Sequence, residues 1–140
     1  MGKKIDIMHQ SPAKKYITTG CLLAALAVML GAFGVHGLKD ITNDTLILDI
    51  FDKAVRYQIY HAFAIILLGI VTQQFQISFK YIYRLFITGI LFFSGSLYII
   101  TFLKIKLFEI PVAIGVLTPI GGFCFIAAWL GFAWQLYKKE

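Results

Sequence analysis

The chain has 140 residues, of which 59% are hydrophobic, 16% aromatic and only 14% charged, and its mean hydropathy is +0.81. A water-soluble domain carries about 25% charged residues, so this composition excludes an ordinary soluble globular protein. The net charge of +6 would suit nucleic acid or an anionic surface, and only its distribution along the chain distinguishes the two.

Four apolar stretches are each long enough to cross a bilayer, which needs roughly 20 helical residues for a hydrocarbon core about 30 Å thick. They cover residues 16–38, 57–75, 81–103 and 112–137. None shows the alternation of a strand, and helices satisfy every backbone hydrogen bond within lipid. The sequence therefore predicts an all-α fold, a four-transmembrane-helix bundle. Residues 1–15 form a basic cytoplasmic tail in this prediction, and residues 16–137 form a single membrane domain.

The first predicted span carries small residues in steps of three and four positions. They are Gly20, Ala24, Ala27, Gly31 and Gly34. Small side chains let a neighbouring backbone approach closely in lipid, where no hydrophobic effect drives helices together. We interpret these residues, with Gly121 and Gly122 of the fourth span, as helix-packing positions; a pore-lining or cofactor-binding face is the alternative.

The segment between the first two spans predicts an amphipathic extramembrane helix that runs into span 2. Residues 42–45 offer side chains suited to a helix N-cap. Apolar residues then recur at helical spacing, with charged residues between them. Asp52 and Arg56 lie four positions apart, so they can form an ion pair along this helix.

The charges divide unevenly between the two sides of the predicted bundle. Eight basic and two acidic residues fall on the side of the termini, whereas five basic and five acidic residues fall on the other. Cytoplasmic loops carry the excess of Lys and Arg, so we expect both termini to face the cytoplasm. The topology accounts for the positive charge, and we expect no nucleic-acid partner.

Polar side chains of the four spans are predicted to share one depth near the outer leaflet, in a cluster centred on His36 and His61. The members are His36, Arg56, Tyr57, Tyr60, His61, Ser94, Ser96, Tyr98 and Thr118. They suit a structural hydrogen-bond network, a ligand or lipid-headgroup site, or a proton or ion path. Two histidines on facing helices could also hold haem, whereas zinc would need three or four ligands. No catalytic residues, metal site or cofactor are predicted.

Four sequence motifs resemble a known family. They are GAFGVHGL at residues 31–38, AVRYQIYHA at 54–62, FSGSLY at 93–98, and LTPIGG at 117–122 followed by Ala128-Trp129. In this order and spacing they look like the YgdD-like family of small bacterial inner-membrane proteins, a domain of unknown function with mitochondrial relatives. The resemblance implies a four-helix protein of the bacterial inner membrane with no established catalytic residues.

We expect a small multi-pass membrane protein that is not an enzyme and that acts as an accessory or membrane-stabilising protein. Its expected partners are the lipid bilayer and other membrane proteins or further copies of itself. The alternative is a ligand-binding or transport protein that uses the polar cluster around His36 and His61.

Overall fold

The structure, a computed structural model, describes residues 12–138 and is helical, with no strand in that range. The elements are α1 (Pro12–Val35), α2 (Gly37–Ile41), α3 (Thr45–Phe75), α4 (Lys80–Gly89), a π-helical segment (Ile90–Ser94), α5 (Gly95–Ile105) and α6 (Val112–Tyr137). Because α4, the π segment and α5 follow one another directly, the described range contains four helices long and apolar enough to cross a membrane. This confirms the predicted fold class.

The first helix begins earlier than the predicted first span. Pro12 is its first residue, a position that suits proline because its fixed φ matches a helix and no N–H is needed there. Residues 12–15 of the predicted tail therefore belong to α1, and residues 1–11 lie outside the described residues. The helix ends at Val35, and the short helix α2, which the sequence analysis did not foresee, follows one residue later.

The predicted amphipathic helix and the second span form one continuous helix, α3. Asp44 caps it, since its side chain accepts hydrogen bonds from the N–H groups of Leu46 at 2.8 Å and Ile47 at 3.4 Å. At 1.5 Å per residue, the 31 residues of α3 extend about 46 Å, well beyond a hydrocarbon core about 30 Å thick. Its first turns therefore reach past the bilayer core.

The buried face of α3 follows alternating steps of four and three residues, the spacing of a helix that packs along its whole length. This face consists of Ile47, Phe51, Ala54, Gln58, His61, Ile65, Leu68 and Thr72. Because it includes two strongly polar side chains at its centre, Gln58 and His61, the packing core of the domain and its polar groups share one surface.

Helices α1 and α3 pack antiparallel with their backbones in close approach. A Cβ atom added to Gly20 would lie 2.8 Å from the carbonyl oxygen of Ala62, and one added to Gly69 would lie 2.9 Å from that of Ala13. Ala27 is almost fully buried. The other small residues of the stripe lie on the same side of α1: Gly31 approaches Val55, Gly34 approaches the ring of Phe51, and Ala24 is half-buried.

Helix α6 packs chiefly on the third span, and its closest contact is with the π segment. A Cβ atom on Gly121 would collide with the backbone nitrogen of Phe93 and lie 2.9 Å from the carbonyl carbon of Phe92. One on Gly122 would lie 3.8 Å from the Phe93 ring, an ordinary contact. Gly121 therefore permits the close approach of α6 to this segment, and α6 continues through Pro119 to Tyr137.

Candidate functional site

Gln58 joins three of the four spans through its side-chain amide. It is only 2% exposed. Its Nε2 donates to the carbonyl oxygen of Leu23 in α1 at 3.0 Å, and its Oε1 accepts from the Tyr98 hydroxyl of α5 at 2.9 Å. In a region that excludes water, both ends of the amide are thus satisfied by neighbouring helices. Tyr98 belongs to the predicted cluster, whereas Gln58 was not among its members.

His61 lies at the centre of a layer of aromatic side chains. Its ring stacks on Phe125 of α6, with centroids 3.4 Å apart and an interplanar angle of 7°. It also approaches Phe86 of α4 and Trp129 of α6. Tyr57 extends the layer by stacking on Phe93 of the π segment, with centroids 4.4 Å apart. These rings fill the space where α3, the third span and α6 meet.

The hydrogen bond of His61 fixes the tautomer of its neutral ring. Nδ1 lies 2.7 Å from the carbonyl oxygen of Tyr57, and a carbonyl oxygen can only accept, so Nδ1 carries the proton. Nε2 then presents a lone pair, and no residue in the range 12–138 donates to it. An imidazole held through one nitrogen by a backbone carbonyl, with the other available, is the arrangement of many ligand-binding histidines.

Ser96 and Thr118 connect α5 to α6. Their hydroxyl oxygens are 2.6 Å apart, and Ser96 Oγ also lies 3.0 Å from the carbonyl oxygen of Phe93. Because Ser96 has one proton and donates it to that carbonyl, Thr118 donates to Ser96. The neighbouring Ser94 is fully buried, and its hydroxyl has no partner within the described part of the chain.

The π segment supplies the backbone around these hydroxyls. The N–H of Gly95 donates to the carbonyl oxygen of Ile90, five residues earlier, which is the bond that defines this geometry. The wider turn inserts a residue relative to an α-helix and changes which side chains of α5 face the core. Single π turns within α-helices often occur at functional sites.

His36 and His61, on which the predicted cluster is centred, lie at different levels of the bundle. Gly34 lies against Phe51, which precedes His61 by ten residues, or about 15 Å, along α3. His36 continues away from that point in the antiparallel helix, so the two imidazoles are too far apart to bind one iron atom. His36 is exposed at the junction of α1 and α2.

The remaining members of the predicted cluster lie on the outside of α3. Arg56 pairs with Asp52, as expected, and both side chains are more than half exposed. Tyr60 is also exposed. His61, by contrast, lies near the middle of the 31-residue helix, about 24 Å from its start. Of the predicted cluster, His36 lies apart from His61 along α3, whereas Tyr57 approaches the His61 ring and Ser96 bonds to Thr118.

Within residues 12–138, no three His, Cys, Asp or Glu side chains converge on a position that could hold a metal ion. The two cysteines, Cys21 and Cys124, are not bonded to each other.

Comparison with known proteins identifies the family. The family described as "Protein of unknown function (DUF423)" matches residues 30–122, a range that includes the motifs at 31–38, 54–62, 93–98 and 117–122. The chain belongs to this family. The resemblance that those motifs indicated is thereby confirmed.

Membrane proteins of staphylococci align with most of the chain. A UPF0382 membrane protein of Staphylococcus haemolyticus is 38% identical over 125 residues, which cover 89% of this chain and 97% of that protein. UPF0382 membrane proteins of Staphylococcus aureus and Staphylococcus saprophyticus are each 40% identical over 117 residues, covering 84% of this chain and 90% and 92% of those proteins. No solved structure matches. The protein is thus a membrane protein of a family to which no activity is assigned.

Proposed function

We propose that the protein is a non-enzymatic accessory protein of the bacterial plasma membrane, which stabilises the membrane or a membrane-protein complex through its outward faces. The proposal is supported by the hydrogen bonds that the polar side chains form between helices. Gln58, Tyr98, Ser96 and Thr118 hydrogen-bond to other helices or to each other. Polar side chains used in this way fix the arrangement of the helices. This suits a protein that acts through the shape of its outer surface.

The outward faces of α1 and α6 are the surfaces through which such a protein would act. Helix α1 packs chiefly on α3, and α6 chiefly on the third span, so each helix keeps one long side exposed. Large apolar side chains cover these sides: Leu22, Val28 and Met29 on α1, and Phe123, Leu130 and Trp134 on α6. They suit lipid acyl chains or the helices of another membrane protein.

The orientation that we propose has both termini in the cytoplasm. Among the described residues, the end of the domain that carries the termini has only basic charges: Lys14, Lys15, Lys80, Arg84 and Lys138. All five acidic residues of the range 12–138 lie at the opposite end. The positive-inside rule supports this orientation. In a cysteine-free variant, a cysteine at Ser78 should react only with membrane-permeant maleimide in intact cells, whereas one at Asn43 should also react with an impermeant reagent; the reverse pattern would overturn the orientation.

In-membrane photo-crosslinking tests the accessory role. A photoreactive residue at Leu22 or Phe123 should give discrete adducts with one membrane protein or lipid species, whereas one at Ala27, which is 1% exposed, should crosslink only within the chain. Deletion of the protein should impair envelope integrity or the assembly of the captured complex. The proposal fails if neither outward position gives an adduct and the deletion changes neither property.

A second candidate function is ligand binding at His61, and the available Nε2 lone pair favours it. His61→Phe would retain a ring to stack on Phe125 and remove both nitrogens. If His61 binds a ligand, this variant should fold like the parent protein and lose function in a complementation assay, whereas His36→Ala should retain it. Equal complementation by the His61→Phe variant would exclude this function.

A further inference from the structure

The loop between α5 and α6, residues 106–111, presents apolar side chains that the rest of the described chain leaves uncovered. Leu107 is 92% exposed, the largest fraction among the large apolar residues of the range 12–138, and Phe108 is 61% exposed. Val112, the first residue of α6, is also exposed. An exposed apolar patch in a connecting loop indicates contact with a membrane or with another protein.

Leu107 adopts a backbone conformation that leucine rarely has. The N–H of Leu107 donates to the carbonyl oxygen of Lys104 at 3.1 Å, and the N–H of Phe108 donates to that of Leu103 at 2.9 Å. This pair of hydrogen bonds ends a helix through one left-handed residue. Leu107 is that residue, with a φ of 57°. Glycine usually occupies the position, because a Cβ atom makes the left-handed conformation costly.

The end of α3 places the same demand on Gln76, and there the side chain compensates. Gln76 has a φ of 54°, and its Nε2 donates to the carbonyl oxygen of Gln73 at 2.7 Å. The Leu107 side chain cannot form a hydrogen bond, and at its exposure it packs on almost nothing in the described part of the chain. Leucine therefore strains the turn without a compensating contact inside the domain, which points to a contact outside it.

The length of α6 places this loop at the depth of lipid headgroups. Trp134 and Tyr137 are exposed near the other end of α6, and such rings mark a membrane–water interface. Val112 precedes Trp134 by 22 residues, or about 33 Å along the helix, whereas the hydrocarbon core is about 30 Å thick. The loop therefore begins where the hydrocarbon core ends, so the surface beside it is lipid.

Two lysines next to the loop suit the same depth. Lys104 and Lys106 form no ion pair with a carboxylate of residues 12–138, and Glu109 is the single carboxylate of the loop. Lysine side chains lay their apolar stems along a hydrophobic surface and extend their ammonium groups to the headgroups. Lysines beside exposed Leu and Phe side chains are typical of segments that lie in the membrane interface.

We propose that the α5–α6 loop inserts Leu107 and Phe108 into the boundary between headgroups and acyl chains in the leaflet at this end of the domain. The ammonium groups of Lys104 and Lys106 then reach lipid phosphates, and Val112 continues the apolar contact onto α6. The insertion fixes the depth at which α5 ends and α6 begins. It goes beyond the accessory role proposed above and depends neither on that role nor on the orientation of the termini.

Spin-label accessibility in vesicles of phosphatidylcholine and phosphatidylglycerol tests the insertion. In a variant in which Cys21 and Cys124 are replaced by alanine, a nitroxide is attached at Phe108→Cys or at Asn43→Cys. Asn43 is the matched control, because it is an exposed polar residue next to Asp44, which lines one cavity with Leu107 and Phe108. Relaxation by oxygen, which concentrates in lipid, relative to relaxation by a water-soluble nickel chelate should be several-fold higher at position 108.

Equal ratios at the two positions would overturn the proposal. A label at position 108 that neither reagent reaches would also overturn it, because protein would then cover the loop. Since the vesicles contain only lipid and this protein, a loop that serves another protein would give the ratio of an aqueous site. The result is independent of the crosslinks at Leu22 and Phe123 that test the accessory role.

Substitutions at Leu107 separate the apolar contact from the backbone turn. Leu107→Asn should keep the turn, because asparagine tolerates the left-handed conformation, and should lower the oxygen-to-nickel ratio of the label at position 108 several-fold. Leu107→Met, which retains an apolar side chain, should leave the ratio unchanged. An unchanged ratio in a Leu107→Asn variant with the circular dichroism of the parent protein would show that Leu107 does not hold the loop in lipid.

Discussion

Replacing Gly121 by alanine tests the closest helix contact in the domain. The new Cβ would collide with the backbone nitrogen of Phe93, and it would lie 2.9 Å from the carbonyl carbon of Phe92. A side chain could rotate away from such a clash, but the backbone of the π segment cannot. We therefore expect α6 and the third span to separate, and the polar pair Ser96–Thr118 close to this contact to weaken.

The neighbouring glycine provides a matched control. A Cβ on Gly122 would lie 3.8 Å from the Phe93 ring, so Gly122→Ala requires no movement. Both substitutions gain the same helix propensity, up to about 1 kcal/mol, and this gain cancels in their difference. Overpacking costs about 1–3 kcal/mol. The free energy of unfolding should therefore be about 1–3 kcal/mol lower for Gly121→Ala than for Gly122→Ala.

Reversible unfolding in mixed micelles, followed by circular dichroism or by steric trapping, measures this difference. Gly122→Ala should be at least as stable as the parent protein, and Gly121→Ala should be less stable. Equal stability of the two variants would refute the reasoning, because it would mean that the backbones of α6 and the π segment are not in close contact at Gly121.

Two further predictions concern hydrogen bonds. Asp44→Ala should lower the free energy of unfolding by about 0.5–2 kcal/mol because it removes the N-cap of α3, whereas Asn43→Ala should not; equal losses measured by the same unfolding assay would contradict the assignment of the cap. The double-mutant cycle of Gln58→Leu and Tyr98→Phe should give a coupling energy of about 0.6 kcal/mol, the average found between membrane helices, and no more than about 1.7 kcal/mol. A coupling energy near zero would show that the amide and the phenol do not bond in the membrane.

The helices themselves could be predicted from the sequence because each span is apolar over its whole length. The start of the second helix could not be read from apolarity alone. Tyr57 marks the beginning of the apolar run, but Asp44 caps the helix thirteen residues before that run begins. His61 therefore lies near the middle of α3, whereas Gly34, two residues before His36, packs on Phe51 nearer the start of that helix.

Gln58 is a buried polar residue that was not predicted to belong to the cluster. It lies between the two tyrosines that were assigned to the cluster, Tyr57 and Tyr60, both of which are exposed. The repeat of four and three residues that runs through Ala54, Gln58 and His61 was present in the sequence and points to the buried face. The π segment is different. Its extra residue alters the face of α5, and no residue type in the segment Ile90–Ser94 marks such an insertion.

Each of the two closest helix contacts combines a glycine with an interhelical hydrogen bond about one turn away, and this matters for functional tests. On α1, Gly20 lies about one turn from Leu23, whose carbonyl oxygen accepts from Gln58. On α6, Gly121 lies about one turn from Thr118, which bonds to Ser96. Each such hydrogen bond contributes only about 0.6 kcal/mol on average in membrane proteins, so close backbone packing has to supply most of the stability. A loss of function caused by substituting any of these polar residues therefore indicates a chemical role only if the variant retains the parent's free energy of unfolding.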